Sequence, residues 1–317
     1  MHYSVYAGLA FSALFGVVAP TITRRTSPAL ATWFLTIGGS VSALCAVVSL
    51  AVLALAVVGE EPEVAEGHWS IRVLHRADPV RTPVGIAALV ILGYVATRVI
   101  GTLIRRTRGL AMAYRLNRSA EAGGDLVVVA SDTLDAYAVP GRPGHIFVTS
   151  GMLRLLGDDG WAVMMSHERS HLRHRHHWHR TVVALAAALN PLLIALPRAQ
   201  LWVTERWADE DAARATARET VASTLARAAD AQRASLVPPS ALSFTAHTVE
   251  RRIAALRVPP PRRRLLLLAA AACLLSVAAG GTADGFTDEA ALFHAATLVH
   301  GAHDTPRLST KHLTISS

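Results

Sequence analysis

His167, Glu168 and His171 are the residues of this chain whose types and spacing are best suited to chemistry. Two histidines four residues apart on an α-helix lie on one face, one turn apart, so both imidazoles can reach the same metal ion. The glutamate beside the first histidine can take a proton from a water molecule held at that metal. The pattern therefore predicts a helix over the motif and a hydrolytic metal site on its surface.

The residues before the motif predict how it is positioned. Three short runs with high β propensity precede it: residues 126–130, 136–139 and 145–149. A turn rich in proline and glycine separates the second run from the third, so we expect a small sheet ahead of the motif. Asp158 or Asp159 can cap a helix that begins near Gly160 and continues to about Trp178. The motif would then lie in the middle of a helix.

A catalytic zinc site has three protein ligands and one open position, so the motif needs a third ligand. His177 lies ten residues after His167, but that spacing requires a sharp turn, with glycine at the position of His174. Glu205 lies on the next predicted helix, which can return antiparallel to the first. Asp209, one turn further on, can accept the second ring N–H of a ligand histidine. The sequence favours Glu205, with His177 as the alternative.

The composition indicates a membrane protein. Of the 317 residues, 52% are hydrophobic and 17% are charged, and this charged share is well below the usual quarter. The candidate membrane spans are residues 3–22, 29–58, 84–104 and 265–283, and the apolar part of the last, which ends at about Ala279, is slightly short for a span. We therefore expect a mainly α membrane protein, in which transmembrane helices flank an α+β domain with a small sheet.

The distribution of charge predicts the topology. Basic clusters follow the first and third apolar runs: Arg24, Arg25, Arg105, Arg106 and Arg108. An acidic loop at residues 60–66 follows the second run. By the positive-inside rule the N-terminus is outside and the domain after the third run is cytoplasmic. The same rule explains the net charge of +8, so no direct binding of nucleic acid is expected.

These patterns predict the following domain organisation. Residues 1–104 form three transmembrane helices, residues 105–264 form a cytoplasmic or membrane-apposed domain, residues 265–283 cross the membrane, and residues 284–317 form a short extracytoplasmic tail. Segment 181–197 is apolar but short and contains Asn190 and Pro191, which favours a re-entrant, interfacial or buried hairpin conformation.

Two further groups of polar residues have structural interpretations. Arg98 lies within the third apolar run, two turns from its end, and is expected to extend its side chain to the membrane interface. Four more histidines follow the motif and are expected to form an exposed, basic, membrane-proximal face: His174, His176, His177 and His179.

His167 to His171, followed by Glu205 to Asp209, resembles the H-E-x-x-H … E-x-x-x-D pattern of integral-membrane gluzincins. That group includes the HtpX-like peptidases and the BlaR/MecR antirepressor peptidases. Residues 136–151 and 249–256 resemble further segments of the same domain, so the resemblance covers about residues 105–260. It implies a zincin fold in which Zn²⁺ is held by His167, His171 and Glu205, with Asp209 behind them. Glu168 would be the general base and then the proton donor to the leaving amine.

The number of spans favours the BlaR/MecR type, and this resemblance implies a regulatory endopeptidase that cleaves a cytoplasmic winged-helix repressor. Strand 145–149 could present an edge that pairs with the substrate peptide. The tail at residues 284–317 is too short for a penicillin-binding sensor domain, which puts β-lactam sensing in doubt. The alternatives are an HtpX-like quality-control protease, a metal-sensing or transport protein of the membrane, and a receptor without catalytic activity.

Overall fold

The computed structural model describes residues 2–58, 82–119, 124–234 and 249–258, with scattered positions between 280 and 297. The predicted span at 265–283 and the predicted tail fall almost entirely outside the described residues. The chain divides into two compact units: Met1–Phe11, Cys45–Tyr94 and Ser276–Ser317 form one, and Ser12–Leu44 and Val95–Leu275 form the other. The second unit contains the sheet and the motif.

Three long helices form the N-terminal part of the chain: α1 (His2–Arg24), α2 (Pro28–Val58) and α3 (Thr82–Ser119). The segments Pro28–Leu55 and Thr82–Arg118 are long and apolar enough to cross a membrane, and α1 contains a shorter apolar stretch. Helix α3 exposes large apolar side chains along its length, including Val90, which is 68% exposed. Such a surface suits a lipid environment better than water.

The small sheet ahead of the motif is confirmed, and it has three strands: β1 (Leu126–Val129), β2 (Ala136–Val139) and β3 (His145–Thr149). Their order is β1-β3-β2, with β1 parallel and β2 antiparallel to β3. The expectation that β3 forms an edge for substrate is wrong, because both of its sides are paired within the sheet. The edge strand next to the motif is β2.

The motif lies in α4 (Ser150–Arg173), as expected, but this helix begins earlier than the sequence suggested. Thr149 is the N-cap, and its side chain accepts a hydrogen bond from the backbone N–H of Met152. The positive φ of Gly157, 62°, kinks the helix just before Asp158. The helical segment that carries the motif therefore begins beside Asp158 and Asp159, close to the predicted start, and a shorter helical segment from Ser150 precedes it.

The helix also ends earlier than expected. Arg175 adopts the left-handed conformation, with φ 50° and ψ 45°, and separates α4 from α5 (His176–Leu189). The sequence predicted one helix continuing to about Trp178. Since arginine gives no local signal for a left-handed turn, this break was not predictable from residue type.

Segment 181–197 forms the end of a helical hairpin. Asn190 follows the last residue of α5 as its C-cap, and its side-chain oxygen accepts a hydrogen bond from the backbone N–H of Leu192, 3.1 Å away. A 3₁₀ turn (Pro191–Leu193) leads into α6 (Leu196–Ala215). Leu193 and Leu196 are fully buried at this turn. How the hairpin lies relative to a bilayer stays a prediction.

Arg98 has a structural role within the apolar part of α3. Its guanidinium donates a hydrogen bond to the backbone oxygen of Ala187, 3.0 Å away, in the last turn of α5. The carbonyl groups of a helix C-terminus lack intrahelical partners, and a cation is favourable there. Arg98 thus forms a hydrogen bond to the helical hairpin. The sequence analysis expected its side chain to extend to the membrane interface and did not identify this partner.

Helices α7 (Arg218–Ala234) and α8 (residues 249–256) complete the described part of the domain. One buried apolar cluster joins the sheet to α4: Ile146, Val148, Met152, Leu156, Met164 and Met165. A second joins α4 to the three later helices: Val163, Ala212, Val221, Ala222 and Leu256. Helix α4 is therefore held from both sides, which fixes the orientation of the motif.

Gly16 of α1 lies against the hairpin turn, and we predict that Gly16→Ala destabilises the protein. A Cβ at Gly16 would lie 2.2 Å from the backbone oxygen of Leu192, so the backbone would have to move. Overpacking of this kind costs about 1–3 kcal/mol in the free energy of unfolding. Thermal denaturation in detergent measures the loss.

Gly93→Ala is the matched control, because a Cβ on that glycine of α3 meets nothing within 4 Å. An equal decrease in melting temperature for both variants would contradict the close approach at Gly16.

Candidate metal centre

Three side chains on α4 and α6 converge with the geometry of a zinc site. Nε2 of His167 lies 3.2 Å from Nε2 of His171, and the Glu205 carboxylate lies 3.4 Å from the first nitrogen and 3.6 Å from the second. Ligands about 2.0–2.1 Å from a tetrahedral zinc ion are about 3.3 Å from one another. The two carboxylate distances involve different oxygens, Oε2 and Oε1. The two imidazoles and the carboxylate group therefore lie at about the separations of three zinc ligands, which would leave a fourth position for water or substrate. His177, the alternative third ligand, is exposed and outside this cluster.

Asp211 joins α4 to α6 and thereby places Glu205 opposite the histidines. Its Oδ2 accepts a hydrogen bond from the hydroxyl of Ser170, 2.7 Å away, inside the motif. The same oxygen lies 2.9 Å from Nε2 of His174. Because the Asp211 side chain is buried between the two helices, these contacts fix how α6 is aligned along α4.

Asp209 lies behind the first histidine, where the sequence placed it. Its Oδ1 is 3.1 Å from Nδ1 of His167, on the side of the ring away from Glu205. A carboxylate in this position orients the imidazole and leaves Nε2 to bind the metal. Arg252 of α8 holds the carboxylate with two hydrogen bonds, of 2.6 and 2.8 Å. Asp209 is 3% exposed, so the ion pair is largely shielded from solvent.

Two arginines hold the carboxylate of Glu205. Nη2 of Arg180 donates to Oε1 at 2.6 Å, and Nη1 of Arg252 lies 3.2 Å from Oε2. Burial by itself would raise the pKa of Glu205, but Arg252 and His167 outweigh it and keep this pKa well below its ordinary value. The carboxylate is therefore ionised, as a metal ligand must be. Arg180, on α5, was not singled out from the sequence.

The two histidines of the motif differ in their pKa values. Burial disfavours protonation of His167, but the carboxylates of Asp209 and Glu205 more than offset it and raise its pKa to about 10. Burial and the neighbouring His167 lower the pKa of His171 to about 3. The carboxylates around the pair thus favour a positive charge at this place, which suits a cation-binding pocket.

Glu168 points into a cavity of about 430 Å³ that His167 and His171 also line. The side chain is buried, and burial is the main cause that raises its pKa above the ordinary value. The backbone of Ala138, in the edge strand β2, makes a hydrogen bond to it. A carboxylate with a raised pKa is suited to accept a proton and then release it.

The expected exposed histidine face is wrong for two of its four members. His176 is 1% exposed and His179 is 3% exposed, while His177 is exposed and His174 is half-buried. His179 packs edge-on against Trp33 of α2, and its Nδ1 lies 2.9 Å from the hydroxyl of Thr36. The side chain of His179 therefore packs α5 against α2.

His176 is a functional candidate that the sequence reasoning missed. Its Nδ1 lies 2.7 Å from Nδ1 of His171. If His171 binds a metal through Nε2, its Nδ1 carries the proton and donates it to His176. On a continuous helix, residues five apart point about 140° away from each other. The left-handed turn at Arg175 removes this separation and brings the second imidazole behind the first.

Comparison with known proteins supports the class of the site. Residues 102–195 match the sequence model of peptidase family M48. No curated protein and no solved structure matches the chain significantly. The match supports a metallopeptidase, and with the two apolar helices it supports a membrane-type zinc enzyme that acts on proteins. The matched range contains His167, Glu168 and His171 and ends before Glu205. The BlaR/MecR subtype is not part of this finding.

We predict that His176→Phe weakens zinc binding. The phenyl ring keeps much of the shape but cannot accept the proton of His171 Nδ1, and loss of such a partner costs about 10–100-fold in metal affinity. Competition with a chromophoric chelator measures the dissociation constant. His177→Phe makes the same chemical change at the next, exposed position and should leave this constant unchanged. Equal constants for the two folded variants would rule out the assigned role of His176.

Proposed function

We propose that the chain is a zinc-dependent membrane endopeptidase with His167, His171 and Glu205 as zinc ligands and Glu168 as general base. The observation that carries the proposal is the convergence of two imidazoles, 3.2 Å apart, with a carboxylate whose two oxygens lie 3.4 Å from one and 3.6 Å from the other, beside a buried glutamate. Asp209 is the outer partner of His167. The match with peptidase family M48 supports this class of enzyme.

The chemistry divides between the metal and the side chains around it. When bound, zinc supplies a Lewis acid that polarises the scissile carbonyl and makes water a better nucleophile. Glu168 takes the proton from the attacking water and transfers it to the leaving amine, for which a raised pKa is suited. Arg180 and Arg252 keep Glu205 ionised, and Asp209 keeps Nε2 of His167 directed at the metal.

The substrate is proposed to bind as an extended strand along β2. This strand is an edge of the sheet, residues 134–138 line the cavity that contains Glu168, and Ala138 contacts Glu168 directly. A peptide that pairs with an exposed sheet edge places successive backbone groups in register. Pairing at β2 therefore brings a peptide bond next to the metal ligands, which is what an endopeptidase requires.

The proposed location rests on the charge pattern of the sequence, and the proposed substrate class rests on the resemblance to the BlaR/MecR peptidases. Arginines flank the first and third apolar runs, which favours a multi-pass protein of the cell membrane with its catalytic domain in the cytoplasm. A cytoplasmic winged-helix repressor is the proposed substrate. Cleavage of misfolded membrane proteins by an HtpX-like enzyme uses the same site and the same placement, so it is the second candidate.

We predict that Glu168→Gln abolishes cleavage of an unfolded protein substrate and leaves zinc bound. Removing a general base lowers kcat by about 10²–10⁴-fold, whereas the three ligands are untouched. A chelator should inactivate the wild-type protein, and added zinc should restore it. Zinc content and cleavage rate are measured on the same sample.

Glu219→Gln is the matched control, because Glu219 is exposed in the first turn of α7. A Glu168→Gln protein with more than half of the wild-type rate would exclude this mechanism. That result would favour the metal-sensing or transport alternative, in which Glu168 has no chemical role.

A further inference from the structure

We propose that a basic cavity next to the metal centre is a substrate subsite for acidic side chains, an inference that rests on the proposed endopeptidase function. The cavity has a volume of about 570 Å³ and lies between the end of α1, the first turns of α6, and α8. Its polar lining includes Arg24, Arg198, Arg251 and Arg252. Neither the family match nor the proposed mechanism assigns it a role.

The basic cavity adjoins the catalytic cleft. Glu205, Gln232 and Arg252 line both this cavity and the one that contains Glu168. A peptide held at the metal centre can therefore place a neighbouring side chain in the basic cavity without leaving the surface of the domain. The shared residues place the two cavities side by side on the domain.

The lining of the cavity carries a net positive charge. Among the described lining residues the acidic side chain is Glu205, and two arginines already hold its carboxylate. The sequence segments on either side of α8, residues 235–248 and 259–279, contain no aspartate or glutamate. Arg252 is already paired with Asp209, and Glu250 precedes Arg251 on α8. The four arginines of the lining still outnumber these two carboxylates and Glu205 by one, so a further carboxylate brought into the cavity would be attracted.

Arg251 is already oriented for such a ligand. Its guanidinium lies over the indole ring of Trp202, with the central carbon 4.4 Å from the ring centroid. Stacking occupies the face of the guanidinium and leaves the N–H groups in its plane able to bind a carboxylate with two hydrogen bonds. Little side-chain entropy is lost on binding, because the arginine is already held by the ring.

The geometry also indicates which substrate position is involved. Arg198 and Glu205 both lie on α6, seven residues apart, which corresponds to about 10 Å along the helix axis. An extended peptide advances about 3.4 Å per residue. An acidic side chain in the cavity would therefore lie two to four residues from the scissile bond.

The test uses the zinc-loaded, full-length protein and a set of fluorogenic peptides that carry Glu, Gln or Lys at each position two to four residues from the scissile bond. We expect kcat/KM for the best Glu peptide to exceed that of its Gln counterpart about tenfold, and the Lys peptide to be the poorest. Binding of the same peptides to the Glu168→Gln protein, followed by fluorescence anisotropy, should give the same order without catalysis.

Arg251→Glu should reverse the preference from Glu to Lys, and Arg198→Gln should reduce it. Arg257→Glu is the control, since Arg257 follows the same helix but is absent from the lining. Equal cleavage of the Glu and Gln peptides by the wild type would overturn the subsite and leave the endopeptidase intact. If Arg251→Glu and Arg257→Glu change the preference between Glu and Lys peptides equally, the subsite is overturned as well.

Failure to cleave any peptide, Gln peptides included, would contradict the proposed function and the subsite together.

A third outcome separates acidic peptides from acidic lipids. If nanodiscs containing phosphatidylglycerol abolish binding of the Glu peptide, and phosphatidylcholine nanodiscs do not, the cavity is a lipid headgroup site and the peptide subsite is excluded.

Discussion

The ion pair between Arg252 and Asp209 is the contact on which the rest of the metal centre depends. One guanidinium makes two hydrogen bonds to Asp209 and also approaches Glu205 at 3.2 Å. Two carboxylates buried beside each other would repel and would become protonated. Arg252 removes that penalty and keeps both ionised, so that one can bind a metal and the other can orient His167. Since Arg252 lies on α8, the site is complete only when this late helix has packed against α6.

The metal centre also depends on a break in regular structure. Helix α4 supplies the two histidines proposed as ligands and the glutamate proposed as general base, but its continuation would carry the following histidines away from them. The left-handed conformation of Arg175 redirects the chain, so that His176 supports His171 and Arg180 reaches Glu205. The same helix α5 is joined to α2 through His179 and to α3 through Arg98. The geometry of the ligands is thus coupled to the packing of the apolar helices.

The sequence predicted those features that follow from local periodicity and ligand chemistry. Four-residue spacing placed His167 and His171 on one helical face, and the same rule placed Asp209 next to Glu205. Strand order was not predictable, because the pairing of β1 with β3 joins residues about twenty positions apart. The contacts of His176 and Arg180 were missed for a similar reason, since each depends on a turn whose residue type carries no signal. Substrate identity and orientation in the membrane stay predictions.

The most direct test of the account is anomalous diffraction at the zinc absorption edge from crystals of the zinc-loaded protein. We predict one strong peak bounded by Nε2 of His167, Nε2 of His171 and the carboxylate of Glu205, with Asp209 hydrogen-bonded to the first imidazole and not to the metal. A peak among His174, His176 and His177, or no peak between α4 and α6, would contradict the assignment of this site.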